Sequence, residues 1–448
     1  MKDLTVGKEG KLIFQFAWPM VLGNIFQQLY NVADSVIIGN FVGNEALAAV
    51  GASFPIIFLL VAMIIGVTSG FTIIISQYFG SKNIEKVRLT VDTAYIILFF
   101  AAIFITIFGI IFSGAIFRLT GLPEEIIPQA KLYLNIYFTG TIFFVGFNAT
   151  SAILRGMGDS KTPLYFLIIA TVVNIVLDLL FVVVFEWGIA GAALATVIAQ
   201  AGAFITAMIY LNKRHQIVNI SFRKYLYDHD IMVKSFKIGL PSGLQQTFVA
   251  LGLIALYGIV NKFGTATIAA YGVAARIDSF ASLLAMNFAA ALTAFVGQNL
   301  GANKPERVKA GLKATWLMTS AISIFFSIVV IFFGKALMRL FTPDPEVIEI
   351  GNDYLVIVGS FYIIFSTLFV VTAVMRGAGD TVVPMFITLI ALWAIRVPAS
   401  YFLAEKIGVT GIWWAVPVGW GVGMTLSWFY YKTGKWKTKG VVKYEIKG

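Results

Sequence analysis

Two aspartates stand in stretches that otherwise belong in oil: Asp178 in "LIIATVVNIVLDLLFVVVF" and Asp34 in "PMVLGNIFQQLYNVADSVIIG". A carboxylate in hydrocarbon costs on the order of 2.5–3.5 kcal/mol on insertion scales, so its presence signals chemistry that needs it. The chemistry such a group offers is reversible binding of a proton or a small cation. Thr171, Asn174 and Asp178 are spaced +3 and +4, which puts them on one helical face. Asn24, Gln27 or Gln28, Asn31 and Asp34 recur at similar steps on an earlier helix. Such faces must look into protein or water, because lipid cannot satisfy them. Straight-helix counts from Lys11 and Lys161 raise Asp34 by about 35 Å and Asp178 by about 25 Å, toward the same side of a bilayer. Two carboxylates there make a proton or cation site. The alternatives are a packing stripe whose Asp34 reaches the headgroups, and an Asp178 that only bonds neighbouring helices.

Other polar groups are less telling. Arg276 and Asp278 lie about mid-span, with Asn287 three turns beyond Arg276; they suit a packing network equally well. Arg396 beside Pro398 is equally open, and His215 and His229 fall in a hydrophilic linker. The spans hold no Ser-His-Asp set or metal-spaced His cluster, and Cys is 0. The expectation is therefore no enzyme and no cofactor.

The elements that position these residues are helices in a membrane. The 448-residue chain is 59% hydrophobic and 12% charged, with a mean hydropathy of +0.88. A soluble surface needs about twice that charge. This excludes an ordinary soluble enzyme, a disordered chain and a nucleic-acid binder, despite the net charge of +11. A span needs about 20 apolar residues. Twelve stretches qualify: 12–38, 46–77, 88–116, 126–153, 162–186, 188–211, 235–260, 266–298, 309–338, 347–375, 382–404 and 409–431. Of the 33 Lys and Arg, six (Arg118, Lys131, Lys262, Lys335, Arg339, Lys406) fall in segments of one side and two (Arg276, Arg396) in spans. The rest share the other side with both termini, which the positive-inside rule makes cytoplasmic.

The chain repeats itself. "GNEALAAVGAS" (43–53) matches "GTATIAAYGVA" (264–274), "SQYFGSKNIEKV" (76–87) matches "GQNLGANKPERV" (297–308), and "RGMGDSKTP" (155–163) matches "RGAGDTVVP" (376–384), each at an offset of 221. Six spans per half keep both halves in one orientation, as in transporters built of parallel repeats. The reading is an all-α integral membrane protein of twelve transmembrane helices in two pseudo-symmetric six-helix lobes. Its expected parts are an N-terminal lobe (1–211), a cytoplasmic linker (212–234), a C-terminal lobe (235–431) and a cytoplasmic tail (432–448). In the RGxGD loops the glycines permit tight turns, and Asp159 and Asp380 are expected to cap the following helices.

These glycine signatures, the opening helix "PMVLGNIFQQLYNVADSVIIG", "GVTSGFTIIISQYFGSK" and "RGMGDSKTP" resemble the multidrug and toxic compound extrusion (MATE) family, over essentially the whole chain. The resemblance implies a cell-membrane antiporter in which H+ or Na+ entry drives export of amphipathic, often cationic, small molecules by alternating access, as a monomer in the lipid bilayer. It carries the family's cation site onto Asn148, Asn174, Asp178 and Thr196, with Asp34 nearby. This all-oxygen set suits Na+ as well as H+ exchange. By straight-helix count Asn148 sits low beside Asp178, so a tilt or kink is required. The resemblance also implies a drug pocket, with Gln27, Asn31, Arg276, Met286 and Asn287 as substrate-binding candidates. At the 221 offset Asn174 and Asp178 become Ile395 and Ala399, so ion coupling is expected in the first lobe alone. The rival on the same fold is a flippase for lipid-linked oligosaccharide or another amphipathic lipid. It calls for a cationic cavity, and only Arg276 and Arg396 are available for one.

Overall fold

The computed structural model describes residues 2–119, 122–214 and 226–442. His215, Arg223 and Lys224 of the linker and residues 443–448 of the tail lie outside the described residues. Among the described residues, regular structure is helical throughout. The first half opens with three long helices, α1 (Glu9–Phe41), α2 (Asn44–Gly80) and α3 (Ile84–Leu119). A broken pair follows, α4 (Ile127–Thr139) and α5 (Thr141–Gly156), bent by 49°. Helix α6 (Lys161–Asp178) runs into a π-helical turn, Leu179–Val184, before α7 (Gly188–Arg214).

The second half repeats the plan. Helices α8 (His229–Val260), α9 (Thr265–Gly301) and α10 (Pro305–Arg339) precede a second broken pair. That pair, α11 (Pro345–Gly359) and α12 (Tyr362–Gly377), is also bent by 49°. Helix α13 (Val382–Leu389) passes through a π-helical turn, Ile390–Arg396, into α14 (Val397–Ile407), and α15 (Val409–Thr433) closes the set. Eight of these rods are long and apolar enough to cross a bilayer, and ten when each broken pair counts as one. Helices α1 and α15, of 33 and 25 residues, complete the twelve.

Inside a bilayer, close packing and hydrogen bonds hold helices together, because lipid is as apolar as leucine. The RGxGD loops show how the repeat meets that demand. A Cβ on Gly156 would lie 2.8 Å from Ile75, and one on Gly377 would lie 2.5 Å from the Thr293 carbonyl. These glycines let α5 and α12 press against α2 and α9. Thr72 donates to Ala152 O (3.1 Å) and Thr293 to Ala373 O (3.3 Å) at matching positions. Gly158 and Gly379, at φ +80° and +95°, make the turn itself.

The caps differ. Asp159 accepts from the Lys161 and Thr162 amides (3.1 and 3.0 Å), as expected. Asp380 instead receives the Tyr430 hydroxyl at 2.5 Å, and no side chain caps α13. The aromatic residue that claims it comes from α15, 50 residues away, which local pattern does not reveal.

The chain forms two compact units, one built from Pro19–Lys237 and the other from Asp3–Trp18 with Ile238–Gly448. The first turns of α1 thus belong to the second unit. There Leu4 is wholly buried, and its amide donates to Gln298 (2.9 Å) while its carbonyl receives Asn299 (3.2 Å). Arg307 bonds Gly7 O (2.8 Å) and pairs with Glu9 (2.7 Å). In the first unit the matching block holds the chain leading into α8: Lys86 pairs with Asp228 (3.4 Å), whose amide donates to Thr93 (3.1 Å). The "GQNLGANKPERV" and "SQYFGSKNIEKV" repeats are docking loops for the start of a helix.

Candidate functional site in the first unit

Helix α6 sorts its residues cleanly. Thr171, Asn174 and Asp178 are buried, while Val172, Val173 and Val176 are exposed, so the +3/+4 spacing marks the inward face. Asp178 and Asn174 have no exposed surface. The π-helical turn begins directly after Asp178; such turns interrupt the regular ladder and recur at functional sites.

On α1 the polar stripe divides. Asp34 is 8% exposed and turned into the unit, whereas Asn31 is exposed and donates to Gln28 (3.3 Å). Three residues advance about 300°, so the two side chains point some 60° apart. Gln27 is half-buried on the same helix.

Asp34 and Asp178 meet side chain to side chain, and Asn174 lies beside Asp178. None of Asp34 Oδ1, both Asp178 oxygens and both Asn174 amide atoms, all buried, makes a sound hydrogen bond. Thr196 on α7 is 4% exposed and shares a 2.9 Å hydrogen bond with the Tyr30 hydroxyl. Two adjoining carboxylates in a dry setting cannot both stay charged without a cation, so one takes a proton or the pair takes an ion. The donors are carboxylate, amide and hydroxyl oxygens, which fits H+ or a hard monovalent ion such as Na+. No cluster of three His, Cys, Asp or Glu exists among the described residues.

Asn148 is half-buried on α5, and its Nδ2 donates to Phe144 O (2.9 Å) within that helix. The sequence reading missed the tyrosines. Tyr30 and Tyr133 both stand within electrostatic reach of Asp34 and Asp178, and Tyr137 within reach of Tyr30 and Tyr133. Tyr137 and Thr196 also line a narrow crevice with Gly140, Phe144, Val197 and Gln200. A signal existed: Tyr30 is four residues before Asp34, Gln200 four after Thr196, and Tyr133 four before Tyr137.

The remaining candidates lie on α9 of the second unit. Arg276 is exposed and Met286 is 40% exposed. Asn287 is buried and donates to Leu283 O (2.7 Å) within its own helix, so the helix face that is open at Arg276 is covered three turns further on.

Against known proteins, the MatE family model matches residues 19–180 and again 241–402. The chain is 32% identical over 442 residues to "Probable multidrug resistance protein YpnP" of Bacillus subtilis (strain 168), covering 97% of each. It is 32% identical to "Probable multidrug resistance protein YoeA" of the same organism, covering 96% of this chain and 94% of that one. A solved structure titled "Crystal structure of MATE in the bent conformation" superimposes with a TM-score of 0.91 at 24% identity, over 96% of each chain, and speaks for the fold. A doubled family match, one per half, and full-length relatives with the same plan make this chain a member of the MatE (multidrug and toxic compound extrusion) family, a membrane transporter and not an enzyme.

Proposed function

We propose that the protein is a cation-coupled exporter of amphipathic, often cationic, small molecules. In this reading it works as a monomer in the cell membrane with both termini cytoplasmic. The observation that carries it is the adjoining pair Asp34 and Asp178 on two helices of one unit, with Asp34 Oδ1 and both Asp178 oxygens buried and short of hydrogen-bond partners. H+ or Na+ from outside occupies the pair, with Asn174 and Thr196 as further oxygen ligands. Occupancy disfavours the substrate-holding state, substrate leaves outward, and the return step releases the ion inside. Coupling of this kind requires only that ion and substrate prefer different states. The multidrug names of the relatives support the substrate class. Purified protein in liposomes, under a Na+ gradient or a pH gradient separately, tests the reading. One gradient drives uptake of an organic cation in wild type, and Asp178→Asn abolishes it with insertion intact. Transport that survives Asp178→Asn overturns the assignment.

A further inference from the structure

Helix α15 ends in an unusual platform. Gly434, at φ +70°, turns the chain back, and Trp436 folds under the helix end with 1% of its surface exposed. Its indole N–H donates to Tyr431 O (2.9 Å), and its ring lies flat on Tyr431 (centroids 5.4 Å apart, 10° between planes). Tyr431 in turn stacks on Trp428 at 5.8 Å. Lys432 sits over Trp428 (5.6 Å) and Lys437 over Trp436 (5.8 Å). Lys435 and Lys439 flank them, all four lysines are exposed, and none is ion-paired among the described residues. From 407 to 444 the sequence has no Asp or Glu. Next to the platform, Tyr430 ties the helix end to Asp380, which fixes it to the second unit.

Aromatic rings at the end of a membrane helix settle at headgroup level, and lysines beside a helix end attract anionic lipid. Here the Trp428 and Trp436 rings hold two of the four ammonium groups, Lys432 and Lys437, so part of the charge is organised before any ligand arrives. We propose that Lys432, Lys435, Lys437 and Lys439, with Trp428 beside them and the buried Trp436 as their support, form a binding site for the phosphate headgroup of an anionic phospholipid in the adjoining leaflet. A headgroup oxygen accepts from the ammonium groups, and the acyl chains run down the exposed flank of α15, where Trp428 and Phe429 are 42% and 66% exposed. The site is independent of the ion site in the first unit.

The test uses the full chain in neutral detergent with dansyl-labelled phosphatidylglycerol, read by energy transfer from tryptophan. Unlabelled phosphatidylglycerol displaces the probe at lower concentration than phosphatidylcholine. Lys435→Gln/Lys437→Gln reduces that preference on the order of tenfold, and Lys435→Arg/Lys437→Arg keeps it. Lys11→Gln/Lys313→Gln, an equal loss of charge elsewhere, leaves it unchanged. Four results each overturn the proposal: no preference in wild type, an unchanged preference in the Lys435→Gln/Lys437→Gln protein, an equal loss in the Lys11→Gln/Lys313→Gln control, or displacement by millimolar inorganic phosphate. Melting curves confirm that every variant is folded.

Discussion

The two units share a frame and differ in their charged interiors. In the first, Asp34 and Asp178 adjoin each other with no cation at hand among the described residues. In the second, the equivalents of Asn174 and Asp178 are Ile395 and Ala399, and a half-buried acid sits on another helix. Asp278 on α9 receives the Tyr354 hydroxyl at a long 3.5 Å, with Tyr362 and Arg396 alongside. Tyr354 packs edge-on against the fully buried Trp413 at 5.1 Å. Arg396 partly offsets the Asp278 carboxylate across a gap too wide for an ion pair, whereas two facing carboxylates have no such cation and need an ion from outside. Duplication preserved the bends, the RGxGD turns and the Thr72/Thr293 bonds, while the polar interior diverged. The lesson is that equivalent backbone does not carry equivalent chemistry.

The sharpest way to break this contrast is to neutralise one acid at a time. Asp178→Asn abolishes gradient-driven transport in liposomes. Asp278→Asn keeps the gradient dependence and lowers the melting temperature instead, through loss of about 1–3 kcal/mol from a buried polar contact. Equal loss of coupling in both variants would erase the distinction.

The shared frame predicts a graded effect at the loops. Gly377→Ala drives a methyl into the Thr293 carbonyl, and Gly156→Ala meets chiefly the Ile75 side chain, which can shift. Both destabilise, by about 1–3 kcal/mol, with Gly377→Ala the worse in a thermal-unfolding assay. The reverse order contradicts a backbone contact at Gly377 that is harder to relieve than the side-chain contact at Gly156.

Smaller still is the effect at Asp380. Tyr430→Phe removes the bond to Asp380, a loss of about 1 kcal/mol. Limited proteolysis at the Arg376–Asp380 loop, faster in the variant than in wild type, reads this outcome.

The least effect is expected at Asp228. The Ile231 amide and then Lys86 hold its carboxyl below the usual range. A depressed acid stabilises the fold above its unfolded pKa, and that stabilisation is lost as pH falls through the folded value. Asp228→Asn therefore flattens a stability decline confined to pH below about 4, read from melting temperatures across that range. Because water still reaches both partners, with 42% of the Lys86 and 20% of the Asp228 side chain exposed, the effect stays small.

Much of this molecule was legible in the amino-acid order. Apolar runs of about 20 residues have few fates other than spanning a bilayer, so twelve rods followed from length alone. The 221-residue offset revealed the duplication, and +3/+4 spacing marked the buried face of α6, because helix geometry is local and periodic. The same reasoning could not see which helices meet. That Asp34 touches Asp178, that Tyr30 bonds Thr196, and that Asn148 turns back on its own helix depend on rotation of one rod against another. Residues 3–18 joining the second unit, and Tyr430 taking Asp380, are pairings between positions far apart in the chain. Periodicity fixes which side of a helix is polar; only packing selects what that side faces.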